Sequence, residues 1–186
     1  RWEPVVAGGF GDAHQGAVGP FAEFRGQFYA GTSTVDGQYP PQLWRSASGD
    51  GASWRRIGIG QTSRSGWSDN RTVSAMAVYS DSLVLGTCGP RAQLWSSRDG
   101  DGWEPAGDAD RGVEPAVVQP TLGAGAPCVT SLTVYGGRLF AALGSPADRL
   151  RLPYEAAVPA ELWQCIACDG SDWDQYVWDN FRLTGG

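Results

Sequence analysis

Apolar and polar positions alternate in three short runs that each close on an aromatic residue: Val18, Phe21 and Phe24; Val73, Met76, Val78 and Tyr79; Val129, Leu132, Val134 and Tyr135. Runs of this length and period predict buried β-strands. Arg25-Gly26, Ser80-Asp81 and Gly136-Gly137 follow, and their Gly and Asp residues tolerate the positive φ of primed hairpin turns. A second apolar stretch comes next: Phe28-Tyr29-Ala30, Leu83-Val84-Leu85 or Leu139-Phe140-Ala141. Two strands joined by so short a link are antiparallel neighbours. After a connection of variable length a third strand opens on Leu43-Trp44, Leu94-Trp95 or Leu162-Trp163. Asp50-Gly51, Asp99-Gly100 and Asp169-Gly170 are then expected to turn the chain into a fourth strand begun by Trp54, Trp103 or Trp173.

The same unit is therefore written three times, with Phe28, Leu83 and Leu139 spaced by 55 and 56 residues. That period suits a propeller blade, and four antiparallel strands are what a blade contains. The fold class expected is all-β, a β-propeller of four-stranded antiparallel blades with about three blades in this chain plus an extra N-terminal outer strand. Residues 1–186 then form one partial propeller domain with blade units at 18–57, 73–106 and 129–177. Residues 2–6 are assigned to an outer strand of a preceding or partner blade, because Trp2-Glu3-Pro4 repeats as Trp103-Glu104-Pro105. Propellers typically close with about four to eight blades. The favoured expectation is a segment of a larger repeat array, with further blades from the same parent chain or another subunit. A dimer of two three-blade halves and a clasp made by Trp2 to Val6 are the alternatives.

Composition narrows the partners. The 186 residues include 27 Gly, 12 Pro and nine Trp, and the 14 basic residues, all Arg, face 20 acidic ones for a formal charge of −6. An acidic chain without a basic run is a poor candidate for binding a phosphate backbone, so no nucleic-acid partner is expected. No apolar run is long enough for a membrane span. Aromatic richness, the lack of Lys and an even cysteine count favour an extracellular or secreted protein, and Asn70-Arg71-Thr72 matches the N-glycosylation pattern.

An Asp-Gly turn followed three residues later by Trp resembles the Asp-box hairpin of sialidase-like propellers, and the Gly-aromatic strand before it is similar to kelch-like blade repeats. Only Ser96 keeps the leading serine of the Asp-box pattern in register, and the Asp residues fall one place late. The resemblance implies a propeller fold. Its sialidase-like side implies an arginine cluster for a substrate carboxylate, for which Arg64, Arg71, Arg91, Arg111, Arg149 and Arg151 are the loop arginines.

In an up-and-down blade the links between strands two and three and between successive blades share one face, and here those are the long ones. Binding groups concentrate on loops held by a rigid scaffold, so the ligand-binding candidates are Phe10, Asp12, His14, Trp67, Asp69 and Asn70. Gly9-Phe10-Gly11-Asp12 and Gly66-Trp67-Ser68-Asp69 could present a ring and a carboxylate to a sugar, or plug the channel; the plug is the favoured reading. No cofactor is expected. Ca²⁺ is the one ion that Asp12, His14, Asp69 and Asn70 would suit. Cys165 with Cys168, and Cys88 with Cys128, are the candidate disulfides. His14 is the only histidine and no nucleophile elbow is present, which disfavours a serine-hydrolase triad. Asp108, Asp110, Glu114 and Glu155 supply loop carboxylates, but no spacing selects a pair. The function expected is a non-catalytic module presenting its long loops to a protein or glycan; the alternative is a fragment of a sialidase-like or other glycoside-processing propeller enzyme.

Overall fold

The computed structural model describes residues 1–59, 67–90, 92–105, 128–144, 160–165 and 173–176. Among them are twelve strands and three single-turn 3-10 segments. Strands β1 (Gln15–Phe24), β2 (Gln27–Thr34), β3 (Leu43–Ser46) and β4 (Arg55–Ile57) pair in order, each antiparallel to the next. So do β5 (Thr72–Tyr79), β6 (Ser82–Cys88), β7 (Leu94–Ser97) and β8 (Glu104–Pro105). The third set is β9 (Cys128–Tyr135), β10 (Arg138–Gly144), β11 (Glu161–Cys165) and β12 (Trp173–Tyr176). The protein is all-β, with three blades of a propeller.

All three β1–β2-type turns take the primed form. Positive φ occurs at both central residues: Arg25 and Gly26, Ser80 and Asp81, Gly136 and Gly137. Such turns match the right-handed twist of the strands they join.

Neighbouring blades meet edge to edge only at single residue pairs, Ser33 with Thr72 and Cys88 with Cys128. Their faces carry the contact. One buried cluster joins Tyr29, Leu43 and Ile57 of blade one to Val73, Leu83, Leu85 and Trp95 of blade two. A second joins Val84 and Leu94 of blade two to Val129, Leu132, Leu139 and Trp163 of blade three. At Gly86 an added Cβ would lie 2.7 Å from the Cβ of Val129, so only glycine lets the next inner strand seat so closely. The inner strands are open on one side, and Val18, Val78 and Val134 are exposed rather than buried as the sequence pattern implies.

The short turns differ from expectation in detail. In blade one the left-handed residue is Gly49, not Gly51, and Ser46 Oγ accepts its N–H at 2.7 Å. In blade two Gly100 is left-handed and Ser97 Oγ accepts its N–H at 2.8 Å, so Ser97 rather than Ser96 organises the turn. The fourth strands begin one residue after Trp54 and Trp103. Asp169-Gly170 lies outside the described residues. Residues 2–6, expected as an outer strand, form none here, and Trp2 is fully exposed. The strand expected to pair with it belongs to a preceding or partner blade, which the described residues do not include.

Asp99 holds the blade-two turn by accepting the N–H groups of Asp101 and Gly102, both at 2.8 Å, and the Ser97 hydroxyl at 3.1 Å. These bonds, led by that from Asp101, keep its carboxyl below the ordinary value of 3.8. A carboxylate whose folded pKa is depressed stabilises the fold fully above its unfolded value and loses that contribution as pH falls through the folded one. Asp99→Asn keeps an acceptor oxygen but cannot titrate. Its thermal midpoint, measured across a pH series, should therefore fall less steeply than that of the unsubstituted chain once pH drops below 3.8.

Candidate functional site

The pairing register brings the starts of β1, β3, β5, β7, β9 and β11 and the ends of the even-numbered strands to one face. The long connections open there. A polar framework repeats along its edge. In Gln42-Leu43-Trp44, Gln93-Leu94-Trp95 and Glu161-Leu162-Trp163 the indole N–H donates back two residues, to Gln42 Oε1 at 3.0 Å, Gln93 Oε1 at 3.1 Å and Glu161 Oε2 at 2.8 Å. Thr32 and Thr87 donate their N–H groups to the carbonyls of Gln42 and Gln93, each at 3.0 Å. These Gln and Glu residues were not singled out from the sequence. Their signal was present, as an amide or carboxylate two places before every repeated Trp.

The loops entering blades one and two lock onto this framework. Gln42 Nε2 donates to Asp12 Oδ2 at 2.6 Å, and Asp12 Oδ1 accepts the N–H of His14 at 3.0 Å. The His14 bond first, then Gln42 and the charges of His14 and Arg56, hold the Asp12 carboxyl below its ordinary range against the opposing effect of desolvation. Asp12 is half-buried and stays ionised. In blade two the equivalent amide, Asn70 Nδ2, donates to Gln93 Oε1 at 2.7 Å. Asp12 and Asn70 thus occupy corresponding places, and only the first brings a charge.

The aromatic candidates face the blades. Phe10 stacks on Trp44 with centroids 4.6 Å apart and meets Trp54 edge-on at 5.4 Å. Trp67 is buried, packs edge-on against Trp95 at 5.6 Å, and donates its indole N–H to the Pro41 carbonyl at 3.2 Å. Trp67 and Asn70 were candidates for the ligand-facing set; both are interior, because the loop closes the blade-one to blade-two seam with them. Burial of the Asn70 amide also removes the glycosylation acceptor from the surface. Asp69 is exposed. His14 is exposed, stacks on Tyr39 at 3.8 Å, and sets Nδ1 3.8 Å from Asp36 Oδ2.

Among the described residues no group of three or more His, Cys, Asp or Glu side chains gathers as a metal site. Cys88 and Cys128 form a disulfide between blades two and three on this face, with Cα atoms 4.1 Å apart. Cys165 is also disulfide-bonded; Cys168, its expected partner, lies outside the described residues. So do Arg64, Arg91, Arg111, Arg149, Arg151, Asp108, Asp110, Glu114 and Glu155, whereas Arg71 is exposed beside Gly37. No helix among the described residues is long and apolar enough to cross a membrane.

No protein-family model matches the chain, and no curated protein matches it. Solved structures do. The chain is similar to the GH32 β-fructofuranosidase of Bombyx mori, at 14% identity and a TM-score of 0.52, over 87% of its own length and 34% of that chain. A variant of the same enzyme in complex with sucrose gives 13% identity and 0.50 over the same shares. An endo-arabinase from Bacteroides thetaiotaomicron gives 13% identity and 0.50 over 83% of this chain and 53% of the other. The chain therefore spans between a third and about half of these enzymes, and the likeness shows a shared propeller-like fold. These neighbours also correct the expectation of a non-catalytic binding module. The neighbours named are glycoside-processing enzymes, which counts against that expectation and in favour of its glycoside-processing alternative.

Proposed function

We propose that this chain is a blade segment of a glycoside-processing propeller enzyme, with its substrate site on the long-loop face. The observation that carries the reading is Asp12, an ionised carboxylate fixed at that face by Gln42 and by the His14 backbone. Glycoside hydrolysis canonically uses two carboxyl groups, one protonated to assist the leaving oxygen and one ionised as nucleophile or base. A depressed pKa suits Asp12 to the ionised role. Glu161 stands on the same face from blade three, one oxygen held by Trp163. The named neighbours support furanosyl linkages, as in sucrose and arabinan, as the first substrates to try.

The Ser97 and Asp99 contacts support the Asp-box-like character of the blade-two turn as a structural device, remote from this site. The disulfides support an oxidising, extracellular compartment. Ca²⁺ at Asp12 is disfavoured by the engagement of both carboxylate oxygens.

Release of reducing sugar from sucrose or linear arabinan tests the reading. Asp12→Asn should lower turnover by about 100-fold or more, the range for a group that transfers or holds charge in the transition state. Asp81→Asn, on the opposite face, should leave it unchanged. Equal turnover in the two variants, or none with either substrate before substitution, contradicts the proposal.

A further inference from the structure

Three successive carbonyls of the segment between β2 and β3 each receive a donor. Gln15 Nε2 donates to the Pro40 carbonyl at 3.3 Å, Trp67 Nε1 from the loop entering blade two to that of Pro41 at 3.2 Å, and the Thr32 N–H to that of Gln42 at 3.0 Å. The Gln42 N–H in turn donates to Thr32 Oγ1 at 2.8 Å. Gln15, Thr32 and Trp67 are buried, and so is Gln42 itself. Residues 40–42 are thus held from two blades at once, and the Gln42 side chain leaves a pinned backbone.

The sense of its amide is fixed as well. An indole N–H only donates, so Gln42 must turn Oε1 to Trp44, and its NH2 group is left for Asp12 Oδ2. Phe10, stacked on Trp44 at 4.6 Å, holds the indole in place. In all three blades the Trp finds an oxygen at this position, but the second partner differs between the two whose entering loops are described. Asn70 donates to the same Gln93 oxygen that Trp95 uses, so in blade two the entering side chain is itself the donor. In blade one it is a carboxyl group, which can only accept once ionised.

We infer that Gln42, with its amide turned by Trp44, is the positioning residue that holds Asp12 in place in its ionised form. A donor to a carboxylate favours the charged form, and an acceptor at the same place would favour the acid. The other charged groups that bear on Asp12 are His14, from its own loop, and Arg56, from β4; Asp36 stands 3.8 Å from His14 Nδ1. The use of Asp12 in catalysis rests on the glycoside reading above, whereas the action of Gln42 on Asp12 is measured without any substrate.

Gln42→Glu keeps the side-chain shape and the bond from Trp44 but sets an oxygen against Asp12 Oδ2, so the two carboxyl groups must share a proton. Carbon-13 NMR of the Asp12 carboxyl in the full 186-residue chain should then show titration at higher pH, its acid dissociation constant lowered about tenfold or more. A carboxyl whose folded pKa is raised stabilises the fold below its unfolded value and loses that contribution as pH rises through the folded one. The thermal midpoint of Gln42→Glu should therefore fall relative to the unsubstituted chain as the pH is raised from the acid side. The double variant Asp12→Asn/Gln42→Glu again sets one donor against one carboxylate, with the roles exchanged, and should remove that fall; it also shows that a carboxylate at position 42 is compatible with folding. A shifted titration in a protein that hydrolyses neither sucrose nor arabinan would sink the glycoside reading while bearing out the role of Gln42. An unchanged Asp12 titration in Gln42→Glu, a midpoint that follows the unsubstituted chain across the pH series, or a double variant no more stable than the single one would overturn that role.

Discussion

Replacing Cys88 and Cys128 together by serine should lower the stability of the chain by about 4 kcal/mol, the chain-entropy value for a loop of their sequence separation, 40 residues. For a domain of this size that is a fall of about 8–16 °C in the thermal midpoint. The bond matters because the edges of blades two and three pair at a single position, Cys88 with Cys128. Without it, the seam depends on the face cluster of Leu132, Leu139 and Trp163, together with the bond from Ser74 Oγ to the Val129 carbonyl at 2.6 Å. Calorimetry on the double variant checks the expectation. A midpoint unchanged within a degree or two would mean that the seam closes without covalent help.

Trp95→Ala should cost a similar amount, about 3–5 kcal/mol, the usual range for emptying a buried aromatic site. Trp95 is 1% exposed and lies where blades one and two meet. Its ring supports Trp67, whose loop closes the seam, and its indole N–H is one of the donors to Gln93 Oε1. Removing the ring therefore opens a cavity and unseats the loop entering blade two. Chemical denaturation should show the loss as a shift in midpoint. Intrinsic fluorescence should show Trp67 moving toward water. Trp44→Ala, at the corresponding but only half-buried position of blade one, should cost less.

The repeat was legible in the sequence because each blade is a local object. Alternation, two-residue turns and the Leu-Trp third strand depend on neighbours within about thirty residues, and the φ values at Arg25-Gly26, Ser80-Asp81 and Gly136-Gly137 follow from them. The common face of the long loops followed from antiparallel order alone. Relations between blades were not legible. Whether Trp67 points at a ligand or into the seam depends on Trp95 and Pro41, which no local pattern connects to it. The same holds for Asn70, whose buried amide reads in the sequence as a surface glycosylation acceptor. The blade-one turn glycine was misplaced by two positions, whereas Asp99-Gly100 was placed correctly, because Gly49-Asp50-Gly51 offers two glycines that fit the same pattern and only the Ser46 hydroxyl decides between them. The function expected from sequence failed for a related reason: a propeller repeat does not distinguish a binding module from a catalytic one, since the fold is shared and the site is grafted on it.

The placement of the substrate site on the long-loop face is tested most directly by amide hydrogen exchange with sucrose or an arabinan oligosaccharide bound. The account predicts slower exchange in peptides covering 9–15 and 33–42, and no change in those covering the turns at Arg25-Gly26, Ser80-Asp81 and Gly136-Gly137. Protection confined to those turns, or protection at neither face with both sugars, would contradict it.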